Sequence, residues 1–263
     1  MSITEEDISF ESERRVDEDI PPDDHTLVVS SKGGIEPLAN LQLSDLPSEY
    51  TRQKPVVVLI GPERTTYSVH RSLFAAKSPF FRTLLKDCWD GKKEEIEIGN
   101  ISSAGFDIAV DWIYSGRLPD RVKEYSKDGS QPWDSTLCAY KVADVLMINK
   151  LQNEIIANEA AIFSKHGLKW RFCRLKDIYD NDLCHTKYYS FVLKSVVANM
   201  MTNQNQSSEN WDDDLTSIEG DPQILSDLLR SVREWTRKPW KDFPKGDLTA
   251  FFVQDEHDQR LTS

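Results

Sequence analysis

The stretch TTYSVHRSLFAAKSPFFRTLL, from Thr65 to Leu85, decides the fold because its hydrophobic period changes partway along. Residues 66–70 alternate polar and apolar side chains, which is typical of a strand with one buried face. The run VVVLIG at 56–61 precedes it and ends at Gly-Pro, the pattern of a buried strand followed by a turn. These two segments therefore predict a β-hairpin around GPER at 61–64.

After His70 the apolar residues recur at helical spacing instead of alternating. Pro79 interrupts this second pattern, and the residue before a proline avoids the α region of backbone space. We therefore expect two short helices in succession, at about 71–77 and 79–86.

A third strand and a capped helix follow in the sequence. EEIEIGN at 94–100 alternates isoleucine with acidic residues and predicts the strand. SSAGFDIAVDWIYSG at 102–116 carries one apolar stripe and predicts the helix. Ser102 or Ser103 can cap its N-terminus, and Gly116 can end it in a left-handed conformation.

The middle of the chain predicts a loop followed by two helices. Residues 117–134 are polar and loop-like, and Asp134 is expected to cap the first of these helices. A further helix should start at Leu151 and end near His166, because its apolar residues keep helical spacing.

The last third of the chain is also expected to be helical. One predicted helix has Thr186 as its cap, and another starts at Asp221 and Pro222, since proline is favoured at the first helical position. The second should run to about Arg237. The segment after Trp240 is aromatic but has no period.

The acidity of the chain belongs to its beginning. The 263 residues carry a formal charge of −12, and residues 1–50 hold 13 acidic and 3 basic residues, which gives −10. A segment so acidic and poor in apolar residues predicts a disordered tail. The rest of the chain is nearly neutral and has no basic stripe, so we expect no direct contact with nucleic acid.

No segment has the composition of a signal peptide or a membrane span. The sequence begins MSITEEDISF, without an apolar signal core, and no run of about 18 apolar residues occurs. We therefore expect an intracellular protein, in the cytoplasm or the nucleus, with no membrane partner.

The cysteines and the serine motifs predict neither a metal nor a cofactor. Cys88, Cys138, Cys173 and Cys184 are widely spaced and form no CxxC pair, so free thiols in a reducing compartment are the simplest interpretation. No nucleophile elbow or phosphate-binding loop is present. We expect no cofactor and no small-molecule substrate.

His70 is the one strong acid–base candidate, between Val69 and Arg71. A general base needs an orienting acid and a nucleophile within reach, and the sequence places no such set beside it. We therefore interpret His70 as structural and predict no catalytic residue. An enzyme with an unrecognised site is the alternative from a different class.

The order strand, strand, helix pair, strand, helix, loop, helices resembles the BTB/POZ domain. Three segments carry the resemblance: VVVLIGPERTTYSVHRSLFAAKSPFFRTLL, EEIEIGNISSAGFDIAVDWIYSGRL and AYKVADVLMINKLQNEI. Within them, V-H-R, S-P-F-F and W-I-Y-S-G occur in the family's order, and together they cover about residues 54–165. The helical C-terminal third is similar to that of fungal BTB proteins.

The resemblance implies an α+β fold, in which a small mixed sheet is flanked by a helical cluster, followed by an all-α extension. The domain organisation that it implies is a disordered acidic tail at 1–50, a BTB/POZ domain at 51–165, a helical C-terminal extension at 166–240 and a tail at 241–263. It further implies structural roles for His70, Ser78, Phe81, Trp112, Tyr114 and Gly116.

The function implied by the resemblance is that of a non-catalytic scaffold or adaptor for protein–protein interaction. Family members often form homodimers, and Arg71 would lie at the dimer face, although Pro55 stands where the family often has a pairing aspartate. Some members recruit a cullin scaffold as substrate adaptors of ubiquitin ligases. In that alternative, Cys88, Trp89 and Asp90 of the loop KDCWDGKKEE would bind the partner.

Overall fold

The computed structural model describes residues 55–89, 95–123, 133–166, 171–202, 215–240, 243 and 248–254. The predicted disordered tail at 1–50 lies outside these described residues. In chain order the elements are β1 (Val56–Ile60), β2 (Thr65–Val69), α1 (Arg71–Lys77), α2 (Pro79–Trp89), β3 (Glu95–Ile98), α3 (Ser103–Ser115), α4 (Asp120–Lys123), α5 (Trp133–Val145), α6 (Asn149–His166), α7 (Phe172–Asp180), α8 (Lys187–Thr202), α9 (Pro222–Arg237) and a 3-10 helix (Thr249–Phe251).

The three strands form a small mixed sheet in the order β2-β1-β3. β1 pairs with β2 as the predicted antiparallel hairpin, with Ile60 opposite Thr65. β3 pairs with β1 in parallel, and Val58 lies opposite Ile96. Gly61 opens the hairpin turn at a φ of 74°, a conformation that glycine adopts without strain.

The helix pair and the capped helix form as their sequence signals predict. Ser78 separates α1 from α2 in an extended conformation. The Ser102 hydroxyl accepts a hydrogen bond from the Gly105 backbone N–H at 3.1 Å and caps α3, which ends at Gly116 with a φ of 72°. Phe81 is fully buried, and it packs edge-on against Phe74 of α1 at a ring separation of 5.0 Å.

One close approach joins α3 to the helix α5. A side-chain carbon added at Gly105 would lie 2.5 Å from the backbone carbonyl oxygen of Cys138. The α3–α5 contact therefore brings two backbones so close that only glycine fits on the α3 side.

Several predicted boundaries were wrong in detail, and α6 starts at Asn149 instead of Leu151. α2 continues to Trp89 instead of ending near 86, so the start of the predicted loop KDCWDGKKEE is helical. The predicted loop at 117–134 contains the short helix α4. α5 starts at Trp133, so Asp134 lies in its first turn and is not the cap, although an acid there still favours the positive end of the helix dipole.

The helical region after the sheet and its helices is larger than the sequence patterns predicted. The nine-residue helix α7 was not predicted, and the C-terminal segment folds back with Phe251 buried. Thr186 caps α8, and its hydroxyl accepts from the Tyr189 backbone N–H at 3.3 Å. Asp221 holds the N-cap position of α9 but makes no side-chain capping bond. None of the described helices is both long enough and apolar enough to cross a bilayer.

Candidate functional site

His70 lies at the N-cap position of α1, where β2 turns into the helix pair. Its Nδ1 lies 2.8 Å from the Tyr114 hydroxyl, and its backbone N–H donates to the same oxygen at 3.3 Å. Burial lowers the pKa of the half-buried imidazole, which favours its neutral form. The hydroxyl oxygen accepts from the backbone N–H, and its own hydrogen can be donated to Nδ1 of a neutral ring that carries its proton on Nε2.

This arrangement supports a structural role for His70. In that tautomer the Nδ1 lone pair accepts from the Tyr114 hydroxyl and is not free to act as a general base. Tyr114 belongs to the last turn of α3, 44 residues further along the chain, so the two bonds fasten the start of α1 to the end of α3.

Ser78 joins two corners of the helical cluster. Its buried hydroxyl donates to the backbone carbonyl of Leu146, between α5 and α6, and accepts from the Phe81 backbone N–H at 3.1 Å. The first bond fixes the position of the α5–α6 turn, and the second caps α2. The single hydroxyl of this serine therefore satisfies both a backbone carbonyl and a backbone N–H.

Trp112 is buried where α1, α3 and α6 come together. Its indole N–H donates to the Glu154 carboxylate at 2.6 Å, and the Lys77 ammonium lies 5.7 Å from the ring centroid. Both contacts place charge at the edge of the cluster, while Trp112 as a whole residue is 3% exposed. A buried indole needs such a hydrogen-bond partner.

The residues expected at partner surfaces lie at the two ends of the helix pair. Arg71 is the first residue of α1 and is half-buried. Cys88 and Trp89 are the last residues of α2. Asp90 lies outside the described residues, so the contacts of this predicted partner-binding group stay a prediction.

A buried polar pair joins α6 to α8, and sequence reasoning missed it. The Glu159 carboxylate accepts a hydrogen bond from the Tyr188 hydroxyl at 2.8 Å, and both side chains are buried. Burial raises the pKa of the Glu159 carboxyl to about 8, against the opposing effects of the Tyr188 bond and the Arg174 charge. The Tyr188 ring stacks on Tyr140 of α5 at 4.5 Å.

The sequence did hold a signal for this pair. Ile155 and Phe163 stand four residues before and after Glu159, and both are apolar residues at helical spacing. Residues at that spacing share one helix face. Glu159 therefore had to be on the buried side, where an acid needs a hydrogen-bonding partner.

The C-terminal segment 248–254, which we call the strap, is fastened to α6. The side-chain amide of Asn153 donates to the Val253 carbonyl at 2.9 Å, and its oxygen accepts from the Val253 N–H at 2.7 Å. Phe251 is buried against Phe191 of α8 and against Phe243. The strap is thus held on both α6 and α8.

The metal-binding chemistry of the described residues is limited. In the part of the chain that the structure describes, no cluster of three or more histidine, cysteine or acidic side chains could hold a metal ion. Cys138, Cys173 and Cys184 are free thiols.

Comparison with known proteins gives a family match over the first part of the described chain. Residues 51–155 match the family model described as BTB/POZ domain. Two similar solved structures are the BTB (Tramtrack and Bric a brac) domain of human Gigaxonin and the BTB domain of zebrafish PATZ1. The first has 22% identity, covers 41% of this chain and 79% of that chain, and has a TM-score of 0.30. The second has 19% identity, covers 38% of this chain and 70% of that chain, and has a TM-score of 0.29.

Proposed function

Residues 51–155 are a BTB/POZ domain, a protein–protein interaction module, and from this premise we propose that the protein is a non-catalytic scaffold or adaptor. The family match is the observation that carries the proposal. The bonds of His70 support its non-catalytic part, because the imidazole links β2 and α1 to α3 through Tyr114.

The packing of the helical region supports an adaptor with more than one binding surface. α6 contacts α8 through the Glu159–Tyr188 bond and holds the strap through Asn153. The helices after the BTB/POZ domain are therefore packed against helices that continue from it. Such a chain can present the domain surface and the helical surface to two partners at once.

Self-association is the first test of this proposal. We expect the full chain to form a homodimer through the face that includes Arg71. Sedimentation velocity across a hundredfold concentration range should show the dimer, and Arg71→Glu should shift it to monomer by placing an acid at the face. Lys165→Glu, an equal charge change at an exposed position near the end of α6, is the control. A wild-type chain that stays monomeric throughout would remove the homodimer from the proposal.

The finer proposal is a substrate adaptor of a cullin-based ubiquitin ligase. Trp89 ends α2 and belongs to the segment KDCWDGKKEE, in which the family resemblance places the cullin-binding signal. Calorimetric titration of the full chain with a cullin N-terminal domain should give micromolar or tighter binding that Trp89→Ala abolishes.

The control for that titration removes a large apolar side chain elsewhere. Leu229 on α9 is 69% exposed, so Leu229→Ala should leave cullin binding unchanged. Binding that is absent, or that survives Trp89→Ala, would argue for a cullin-independent scaffold.

A further inference from the structure

A groove of about 310 Å³ lies between α8 and α9, outside the residues that match the BTB/POZ family. Leu193 and Phe251 line it and are themselves buried, so its floor is apolar. Lys187 and Lys194 of α8 stand along one side, and Arg230 of α9 stands on the other. The volume is at the lower end of ligand pockets, which occupy roughly 300–1,000 Å³.

The carboxylate of Asp227 in this groove is already used by neighbouring side chains. It accepts hydrogen bonds from the Tyr189 hydroxyl at 3.3 Å and from the Gln223 amide at 3.2 Å. Arg230 forms an ion pair with it at 3.2 Å. Asp227 and Arg230 therefore balance each other, and Glu234 is the other acid among the lining residues.

The two lysines are held without a carboxylate. The Lys187 ammonium donates to the Ala250 carbonyl of the strap at 3.2 Å. The Lys194 ammonium lies 4.9 Å from the Trp240 ring centroid and 5.3 Å from that of Phe251. Within the described residues neither ammonium forms an ion pair, so the groove has two cations facing one unengaged acid. This is a locally positive surface on a chain whose formal charge is −12.

The spacing of the lysines suits an extended chain. Lys187 and Lys194 are seven residues apart on one helix, which places their Cα atoms about 10 Å apart along its axis. In an extended peptide, side chains on one face recur every second residue at about 3.3 Å per residue. Acids two or four positions apart therefore span about 7 or 13 Å, and the long lysine side chains cover the remaining difference.

We propose that the α8–α9 groove binds an extended acidic segment of a partner protein, with its carboxylates on Lys187 and Lys194 and an apolar side chain on the floor formed by Leu193 and Phe251. Charge complementarity carries the choice of partner, since an acidic segment supplies the carboxylates that the two ammonium groups lack. The inference gives the proposed adaptor a second binding surface and rests on that function.

The strap is part of this site. Ala250 and Phe251 belong to it, and they supply the anchor for the Lys187 ammonium and one ring beside Lys194. Docking of the strap on α6 through Asn153 therefore completes the groove. A partner segment would therefore bind a surface that forms only when the strap is docked in the folded chain.

Selection from a random peptide library tests the proposal without a known ligand. A phage-displayed library of random dodecapeptides is panned against the immobilised full chain, and enriched peptides are synthesised for fluorescence anisotropy. We expect the enriched peptides to carry two acidic residues two or four positions apart with an apolar residue between or beside them. Their affinity should fall at least tenfold in Lys187→Glu/Lys194→Glu and should weaken as salt is raised.

The control variant Lys150→Glu/Lys165→Glu makes the same charge change at two exposed positions outside the groove and should keep the affinity. If the double glutamate variant does not fold, Lys187→Gln/Lys194→Gln replaces it. An enriched set without acidic residues, or acidic peptides that bind the groove variant and the control equally, would overturn the inference. Self-association through Arg71 is measured separately, so failure at the groove is distinguishable from failure of the proposed function.

Discussion

Replacing the buried acid Glu159 by glutamine should change how the stability of this protein depends on pH. Burial raises the pKa of the Glu159 carboxyl to about 8 in the folded chain, whereas an unfolded glutamate titrates near 4.3. Between these values the unfolded state has released the proton that the folded state still holds. The free energy of unfolding therefore falls as pH rises through this window and levels off above it.

The size of the effect follows from the proton balance. One proton of difference changes the free energy of unfolding by about 1.4 kcal/mol for each pH unit. Between pH 5.5 and pH 7.5 the wild type should therefore lose about 2–3 kcal/mol that Glu159→Gln does not lose. The glutamine oxygen can still accept from the Tyr188 hydroxyl, so the two proteins should be similar in stability at pH 5.5.

Urea unfolding followed by tryptophan fluorescence, at half-unit steps from pH 5 to pH 8.5, gives the two stability profiles. All other titrating groups are common to both proteins, so the difference between the profiles reports on position 159. Tyr188→Phe is the control, since it removes the hydrogen-bond donor but keeps the buried carboxyl. It should lower the free energy of unfolding by about 1 kcal/mol and leave the slope of that free energy against pH unchanged. Parallel profiles for wild type and Glu159→Gln would refute a proton held on this carboxyl in the folded state.

Three further substitutions test single contacts of the BTB/POZ domain. Gly105→Ala should lower stability by about 1–3 kcal/mol in urea unfolding, because its added carbon would lie 2.5 Å from the Cys138 carbonyl oxygen, whereas Gly99→Ala, with nothing within 4 Å, should change little. Ser78→Ala should cost about 1–3 kcal/mol in thermal unfolding, because one carbonyl and one N–H lose their shared partner; an unchanged melting temperature would contradict this. Tyr114→Phe should cost about 1 kcal/mol and shift the Nδ1 resonance of His70 in a long-range ¹H–¹⁵N spectrum, and a constant resonance would show that the hydroxyl does not bind the ring.

Elements whose signals are local could be predicted from the sequence. The alternation before His70 and the helical spacing after it predicted the hairpin and the helix pair, because each pattern places its own apolar residues on one face. Gly116 predicted the end of α3 because a left-handed residue at a helix end needs no side chain. In contrast, α7 has only nine residues, and a helix so short is stable chiefly through tertiary packing.

The candidate sites depended more on tertiary contacts. The sequence singled out His70, but its hydrogen-bond partner, the Tyr114 hydroxyl, lies 44 residues away in the chain. The residues of the α8–α9 groove come from two helices and the strap, so no local pattern predicts their proximity. The hydrophobic period of an element indicates which of its faces is buried. It does not identify the residues that pack against that face.

The sequence by itself determined the order of the three strands and of helices α1 to α3, the caps of α3 and α8, and the resemblance to the BTB/POZ domain, since each of these rests on neighbouring residues. Only the tertiary structure decided that Glu159 is buried against Tyr188 and that the strap docks on Asn153. Those contacts join residues 29 and 100 positions apart. The physical reason is that burial depends on the residues packed around a side chain and not on its neighbours in the sequence. The pKa of a buried acid, and the binding properties of a groove, depend on that packing in turn.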